Sequence, residues 1–366
     1  MKRRDFVTAL GAGVLGAGGL SACARQEAKV GAAGAASTQR FRWKMVTTWP
    51  PNFPGVGTSV NLLSRTIAEM SGGRLEIKVF GGGELVPALQ VFDAVSRGTA
   101  EMGHGAAYYW KGSVQAAQFF TAVPFGMTAQ EMNAWLYYGG GLELWREVYQ
   151  PFNLVPFPCG NTGVQMGGWF NREINTVDDL RGLKMRIPGL GGEVLRRAGG
   201  TPVTLPGSEI FTSLQTGAID ATEWIGPYND VAFGLNKAAK YYYYPGWHEP
   251  GSTLECIVNA KALQSLPADL QAIVRTACDA VNSLMLAEYT ARNADALARL
   301  SAEDTISIRR FPGDVLEKLK SISNEILNEL AAGDPLFARV RANYAEFYAQ
   351  VRGWHDISER AWLNVR

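Results

Sequence analysis

Trp43-Lys44-Met45-Val46-Thr47-Thr48, halted by Pro50-Pro51, alternates in the manner of a short strand that runs into a loop. Residues 57–70 then place Val60, Leu63, Ile67 and Met70 on one helical face. Arg74 to Phe80 alternates again, with Leu75, Ile77 and Val79 on one side. Pro87 to Ser96 reads as a second helix and Glu101 to Ala106 as a third strand. This βαβαβ rhythm predicts an α/β fold with a mostly parallel sheet and helices on both faces.

The rhythm resumes after Pro158. Strands are expected over Val164–Phe170, Leu183–Ile187, Pro202–Leu205 and Ala218–Trp224, with helices over Gly191–Ala198 and 208–216. The pattern divides the chain into a first lobe (41–160, completed by part of 255–335) and a second lobe (161–254), with a ligand cleft between them. Long helices fill the C-terminal third, from about Pro267 to Glu303 and over roughly 314–331. Residues 335–366 form a last helix, in which Phe337, Val340, Tyr344, Phe347, Val351 and Trp354 make a narrow apolar seam. Such a seam packs on the chain's own lobes or docks on a second subunit.

Composition narrows the function. The chain has 366 residues, a net charge of +1, 47% hydrophobic and 19% charged residues, and ten tryptophans. That excludes a disordered chain, and the near-neutral balance gives no basic footprint for nucleic acid. Histidines 104, 248 and 355 form no H-e-x-x-H motif, and the four cysteines show no C-x-x-C spacing. Neither a G-x-S-x-G elbow nor a P-loop nor an EF-hand loop is present. The case for an enzyme is weak.

Residues 1–24 read as an export signal: basic Lys2-Arg3-Arg4, then an apolar stretch from Phe6 to Leu20 that is too short to span a bilayer. Arg3-Arg4-Asp5-Phe6 resembles a twin-arginine signal. Gly11-Ala12-Gly13-Val14-Leu15-Gly16 spells G-x-G-x-x-G, but it has a basic leader in front of it rather than a strand. Leu20-Ser21-Ala22-Cys23 fits a lipobox that would lipidate Cys23, while Ala22-Cys23-Ala24 fits a site for release. Either places the working protein in the periplasm. Removing residues 1–22 takes away three positive charges and one negative, so +1 becomes −1. Residues 25–40, rich in Ala and Gly, read as a flexible tether. Cys159, Cys256 and Cys278 read as small buried hydrophobes.

Three stretches of the second lobe set polar groups in apolar surroundings: Gln165 in Gly163-Val164-Gln165-Met166-Gly167, Arg186 in Met185-Arg186-Ile187-Pro188, and Glu223-Trp224 in Ala221-Thr222-Glu223-Trp224-Ile225. Arg186, Glu223 and Trp224 fall where strands give way to loops, the edge at which open α/β sheets bind ligands. The planar fork of an arginine suits a small carboxylate. A glutamate beside it would repel that anion unless a cation lay between them, and Gln, Glu and carbonyl oxygens are the hard ligands such a cation prefers.

Leu180-Arg181-Gly182-Leu183-Lys184-Met185-Arg186-Ile187-Pro188 and Leu214-Gln215-Thr216-Gly217-Ala218-Ile219-Asp220-Ala221-Thr222-Glu223 resemble the solute receptors of tripartite ATP-independent periplasmic (TRAP) transporters. So does Ala94-Val95-Ser96-Arg97-Gly98-Thr99-Ala100-Glu101-Met102. The likeness runs from about Phe41 to the C-terminus and implies a two-lobe, periplasmic-binding-protein-like fold. The Gln165, Arg186 and Glu223-Trp224 set is most similar to the branch that receives 2-oxo acids such as pyruvate, or lactate, together with a metal ion. By that resemblance Arg186 clamps the carboxylate, while Gln165, Glu223 and the carbonyl of Trp224 hold sodium (calcium in some relatives). Glu249 lies near the ligand, and Tyr108 and Tyr109 contribute from the first lobe unless Trp110 is the ring that points inward. The resemblance also implies delivery to membrane permease subunits and, in some members, a homodimer through the C-terminal helix. The competing reading is a metal-assisted lyase or hydrolase on small acids, with Glu223 as base.

Overall fold

Strand β1 (Phe41–Thr47) buries Trp43 and Met45 on one face and Val46 on the other, so it needs cover on both sides. Helix Val56–Met70 supplies one layer through Val56, Val60, Leu63 and Ile67. Helix Val91–Ser96 supplies the other through Val91, Phe92 and Val95. Each large apolar side chain fully removed from water contributes roughly 1.5–3 kcal/mol. The computed structural model describes residues 39–366; the leader, Cys23 and the tether up to residue 38 lie outside the described residues. Among those described, no helix is long and apolar enough to cross a membrane.

The first sheet joins β1 to β2 (Leu75–Phe80), β3 (Met102–Gly105), β4 (Leu154–Asn161) and β10 (Thr253–Asn259) in the order β2-β1-β3-β10-β4. The second contains β5 (Gly168–Phe170), β6 (Lys184–Arg186), β7 (Thr201–Val203), β8 (Ala221–Thr222), β9 (Tyr241–Tyr244) and β11 (Ser307–Arg310), in the order β11-β9-β5-β8-β6-β7. Each sheet is parallel except for one reversed strand. In the first, β10 runs antiparallel to both β3 and β4; in the second, β5 runs antiparallel to both β8 and β9.

Several elements depart from the expected boundaries. The strand expected over Val164–Phe170 begins only at Gly168, because Gln165 and Met166 sit in an irregular segment whose N–H groups donate to Glu249 O and Ile225 O (3.1 and 3.0 Å) instead of to a neighbouring strand. Gly168 itself has φ +118, and a Cβ there would come within 2.5 Å of Thr222 O. The stretch Ala218–Trp224 yields only the two-residue β8. Residues 253–254, assigned from sequence to the second lobe, open β10 in the first sheet. Of the 255–335 return, β11 joins the second sheet instead. The last helix runs over Pro335–Ile357, breaks at Ser358, and resumes over Glu359–Leu363.

Helix Ala268–Ser301 packs along β4 and helix Val56–Met70 of the first lobe, and against helix Pro227–Ala232 of the second. The apolar seam of the last helix divides in two. Phe337, Val340 and Tyr344 are buried, with Phe337 edge-on to Phe119 and the Tyr344 hydroxyl accepting from Met127 N at 2.8 Å. Trp354, Ile357 and Trp362 are exposed.

Candidate functional site

Strands β6 and β8 are parallel, with Arg186 beside Thr222 in register. The last residue of one and the first residue past the other therefore emerge together at the carboxyl edge of the second sheet. Arg186 is only 1% exposed and Glu223 not at all. The guanidinium is gripped on several sides. Nη1 forms an ion pair with Glu223 Oε1 and donates to Glu223 O at 3.2 Å; Nε donates to Leu205 O at 3.3 Å; Nη2 donates to the Tyr109 hydroxyl at 3.1 Å. The Trp224 ring lies 5.2 Å from Cζ, a cation–π distance. Burial opposes the charge, but Glu223 and the neighbouring tyrosines outweigh it and hold the pKa above the ordinary arginine value.

The first lobe reaches this edge through the turn Ala107–Trp110, which follows β3. Tyr109 aims its hydroxyl at Arg186, and Tyr108 packs edge-on to Tyr109 at 4.8 Å. Trp110 points the other way, into its own lobe, where its Nε1 donates to Glu255 Oε1. Of the two lobes, the second comes flush against Tyr108 at Gly189. Its φ is +61, and a Cβ there would sit 3.1 Å from the Tyr108 Cβ. Burial raises the pKa of both tyrosines, so Tyr109 stays a phenol with a proton to donate while it accepts from Arg186.

Gln165 and Glu249 occupy the adjoining wall. Gln165 Nε2 donates to Glu249 Oε2 at 2.8 Å and to Thr162 Oγ1 at 3.1 Å, and the Ser252 hydroxyl also donates to Glu249. Because the amide nitrogen must face the carboxylate, Gln165 Oε1 is turned away; it is buried without a donor. His248 Nε2 stands 3.3 Å from Glu223 Oε2, and donor atoms of Glu223, His248 and Glu249 all lie within 4.8 Å of one another. Burial lifts the Glu249 carboxyl to about 7, with the negative charge of Glu223 adding to the shift.

This donor set suits a hard cation. A buried amide oxygen without a partner beside two carboxylates is the chemistry that sodium and calcium select. The charges agree. Arg186 and Glu223 cancel and Glu249, lifted to about 7, is partly protonated, so an organic monoanion placed beside them needs at least one further positive charge to avoid burying a net negative one.

Of the site residues singled out from sequence, Tyr108, Tyr109, Gln165 and Trp224 line one small cavity; Arg186, Glu223 and Glu249 do not line it but join it through Tyr109 and Trp224 (Arg186), through Arg186 (Glu223) and through Gln165 (Glu249). Trp49, Thr162, Ile225 and Leu254 complete its lining; the sequence reading passed over them, along with Ser252. His248 belongs to no metal or catalytic motif in the sequence. Its adjacency to Glu249 in the run Trp247-His248-Glu249-Pro250 is the one signal that could have found it.

Residues 45–334 match the bacterial extracellular solute-binding proteins of family 7. The chain belongs to that family. It is 46% identical over 329 residues to the monocarboxylate 2-oxoacid-binding periplasmic protein of Nostoc sp. PCC 7120, covering 90% of each chain. A TRAP periplasmic solute-binding protein of Colwellia psychrerythraea with bound calcium and pyruvate superposes with a TM-score of 0.87 at 45% identity, covering 89% of this chain and 99% of that one. Its counterpart from Pseudoalteromonas atlantica, with bound sodium and pyruvate, gives the same score and identity, covering 90% and 100%. The two-sheet α/β architecture with long C-terminal helices is thus that of TRAP periplasmic solute receptors, proteins that work outside the cytoplasm.

Proposed function

We propose that this receptor captures a short 2-oxo or 2-hydroxy monocarboxylate, such as pyruvate or lactate, together with a cation and hands it to a TRAP permease. The observation that carries this reading is the buried Arg186 fork, shared with Glu223 and Tyr109, next to the unpartnered oxygen of Gln165. Arg186 binds the carboxylate, and the Tyr109 hydroxyl donates a hydrogen bond to the same ligand. Tyr108 and Glu249 close the wall around it. Gln165, Glu223 and the Trp224 carbonyl hold the cation, sodium in preference to calcium. When bound, that ion supplies the positive charge that lets the anion enter beside Glu223.

Both lobes touch the ligand, so binding favours the closed form by the difference in contacts between open and closed states. Closure presents the surface that the permease subunits read. The exposed Trp354, Ile357 and Trp362 suit a homodimer built through the C-terminal helix. The leader over residues 1–24 directs export, with Cys23 as the point of lipid attachment if the lipobox is used.

Calorimetry tests the reading: pyruvate titrated into the mature chain should bind in sodium and lose affinity when sodium is replaced by choline in the presence of a chelator. Indifference to both changes removes the cation. Recovery of the acid chemically unchanged, followed by NMR, separates a receptor from a lyase or hydrolase; turnover would reverse the assignment.

A further inference from the structure

Trp49, just past β1, is 2% exposed. Its ring centroid stands 6.4 Å from that of Tyr109 and 6.1 Å from that of Trp224, so it packs against the phenol that touches Arg186, and the two rings line the same cavity. Its one polar atom is already committed, since Nε1 donates to His104 Nδ1 at 2.8 Å. An indole N–H can only donate. The imidazole hydrogen must therefore sit on Nε2, which donates to Cys159 O at 2.9 Å.

His104 has no freedom of its own. It lies in β3, paired with Thr47 on one side and Cys256 on the other, and is fully buried. Burial lowers its pKa to about 4, against the bond to Cys159, which keeps the ring neutral and the bonding order fixed at neutral pH. The indole is thus aimed from a rigid central strand, and it lines the cavity together with Ile225 and Leu254.

We propose that Trp49, aimed by His104, is the wall that limits the carbon chain of the ligand, so that the site takes short 2-oxo acids and turns away longer ones. The proposal rests on the 2-oxo acid reading above. With the carboxyl end anchored at Arg186, the free variable is how far the other end extends. Trp49 cannot withdraw without stranding its N–H in a dry site. His104 is a positioning residue: it acts on the ligand only through the indole.

The experiment compares pyruvate with 2-oxohexanoate by calorimetry, in sodium, on the mature chain. Wild type should prefer pyruvate. Trp49→Ala should shift the affinity ratio toward 2-oxohexanoate by about tenfold or more, since each newly buried methylene is worth roughly fourfold in affinity. His104→Leu should shift it in the same direction by less, and His104→Gln, which offers both an acceptor and a donor, should restore most of the wild-type ratio. Trp49→Leu serves where Trp49→Ala does not fold. If the Trp49 variants bind pyruvate with the wild-type ratio, the proposal is overturned while the receptor reading stands. If wild type binds neither acid, the 2-oxo acid reading fails and this proposal with it.

Discussion

Two regions of the molecule bury a glutamate completely, and they treat it in opposite ways. In the second lobe Glu223 is paired with a guanidinium and bordered by His248 and Glu249. In the first lobe Glu255 meets only neutral donors, Trp110 Nε1 and the Tyr149 hydroxyl at 3.2 Å, and its Oε2 has no partner. Burial pushes the Glu255 carboxyl up to about 8, only partly offset by those two hydrogen bonds. It is therefore a protonated, structural acid at neutral pH. A buried carboxylate signals a binding site when an arginine fork and unpartnered oxygens accompany it; burial alone signals a stored proton.

The sharpest way to break that contrast is Arg186→Ala. Ligand binding should vanish in calorimetry, and thermal unfolding should show a loss of about 3–5 kcal/mol, the usual cost of removing one partner of a buried ion pair. Retained affinity would take Arg186 out of the site. Next in size, Glu223→Gln should weaken pyruvate binding by about tenfold and blunt its response to sodium, since one carboxylate ligand is lost.

Glu255→Gln should leave affinity within about threefold of wild type. Its effect belongs to stability against pH. The folded-state pKa of Glu255 lies above its unfolded value, so its contribution is fully present below the ordinary glutamate range, near pH 4.3, and is lost as pH rises through about 8. Wild-type melting temperature should fall between pH 5 and 8 more steeply than that of the variant. Equal slopes would mean that Glu255 does not hold its proton. Smallest of all, Arg197→Ala removes an exposed bidentate pair with Glu329 (2.6 and 2.7 Å) and should leave both binding and melting temperature nearly unchanged, as solvent-exposed ion pairs contribute little.

The sequence made the β1-to-β3 rhythm readable because those strands and their helices show clean periods. It concealed β10: Thr253–Asn259 is buried along its whole length, so no alternation marks it. Strand β4 carries Pro156 and Pro158, which argue against a strand by their missing N–H groups. At the site, Arg186, Gln165 and Glu223 stood out as polar residues in apolar runs. Trp49 and His104 did not, because a tryptophan near a strand end and a lone histidine carry no motif. Only the fold, by pairing β3 with β1, makes them a unit.

The reversed strand of the first sheet has a consequence for biosynthesis. Because β10 fills the gap between β3 and β4, the nascent chain cannot zip this sheet until the ribosome has delivered residue 259. The second sheet must wait longer still for its edge strand at 307–310. A chain cut before residue 253 should therefore leave β3 and β4 of the first sheet without their shared neighbour, and early translation intermediates should be rich in open edges that need shielding by chaperones.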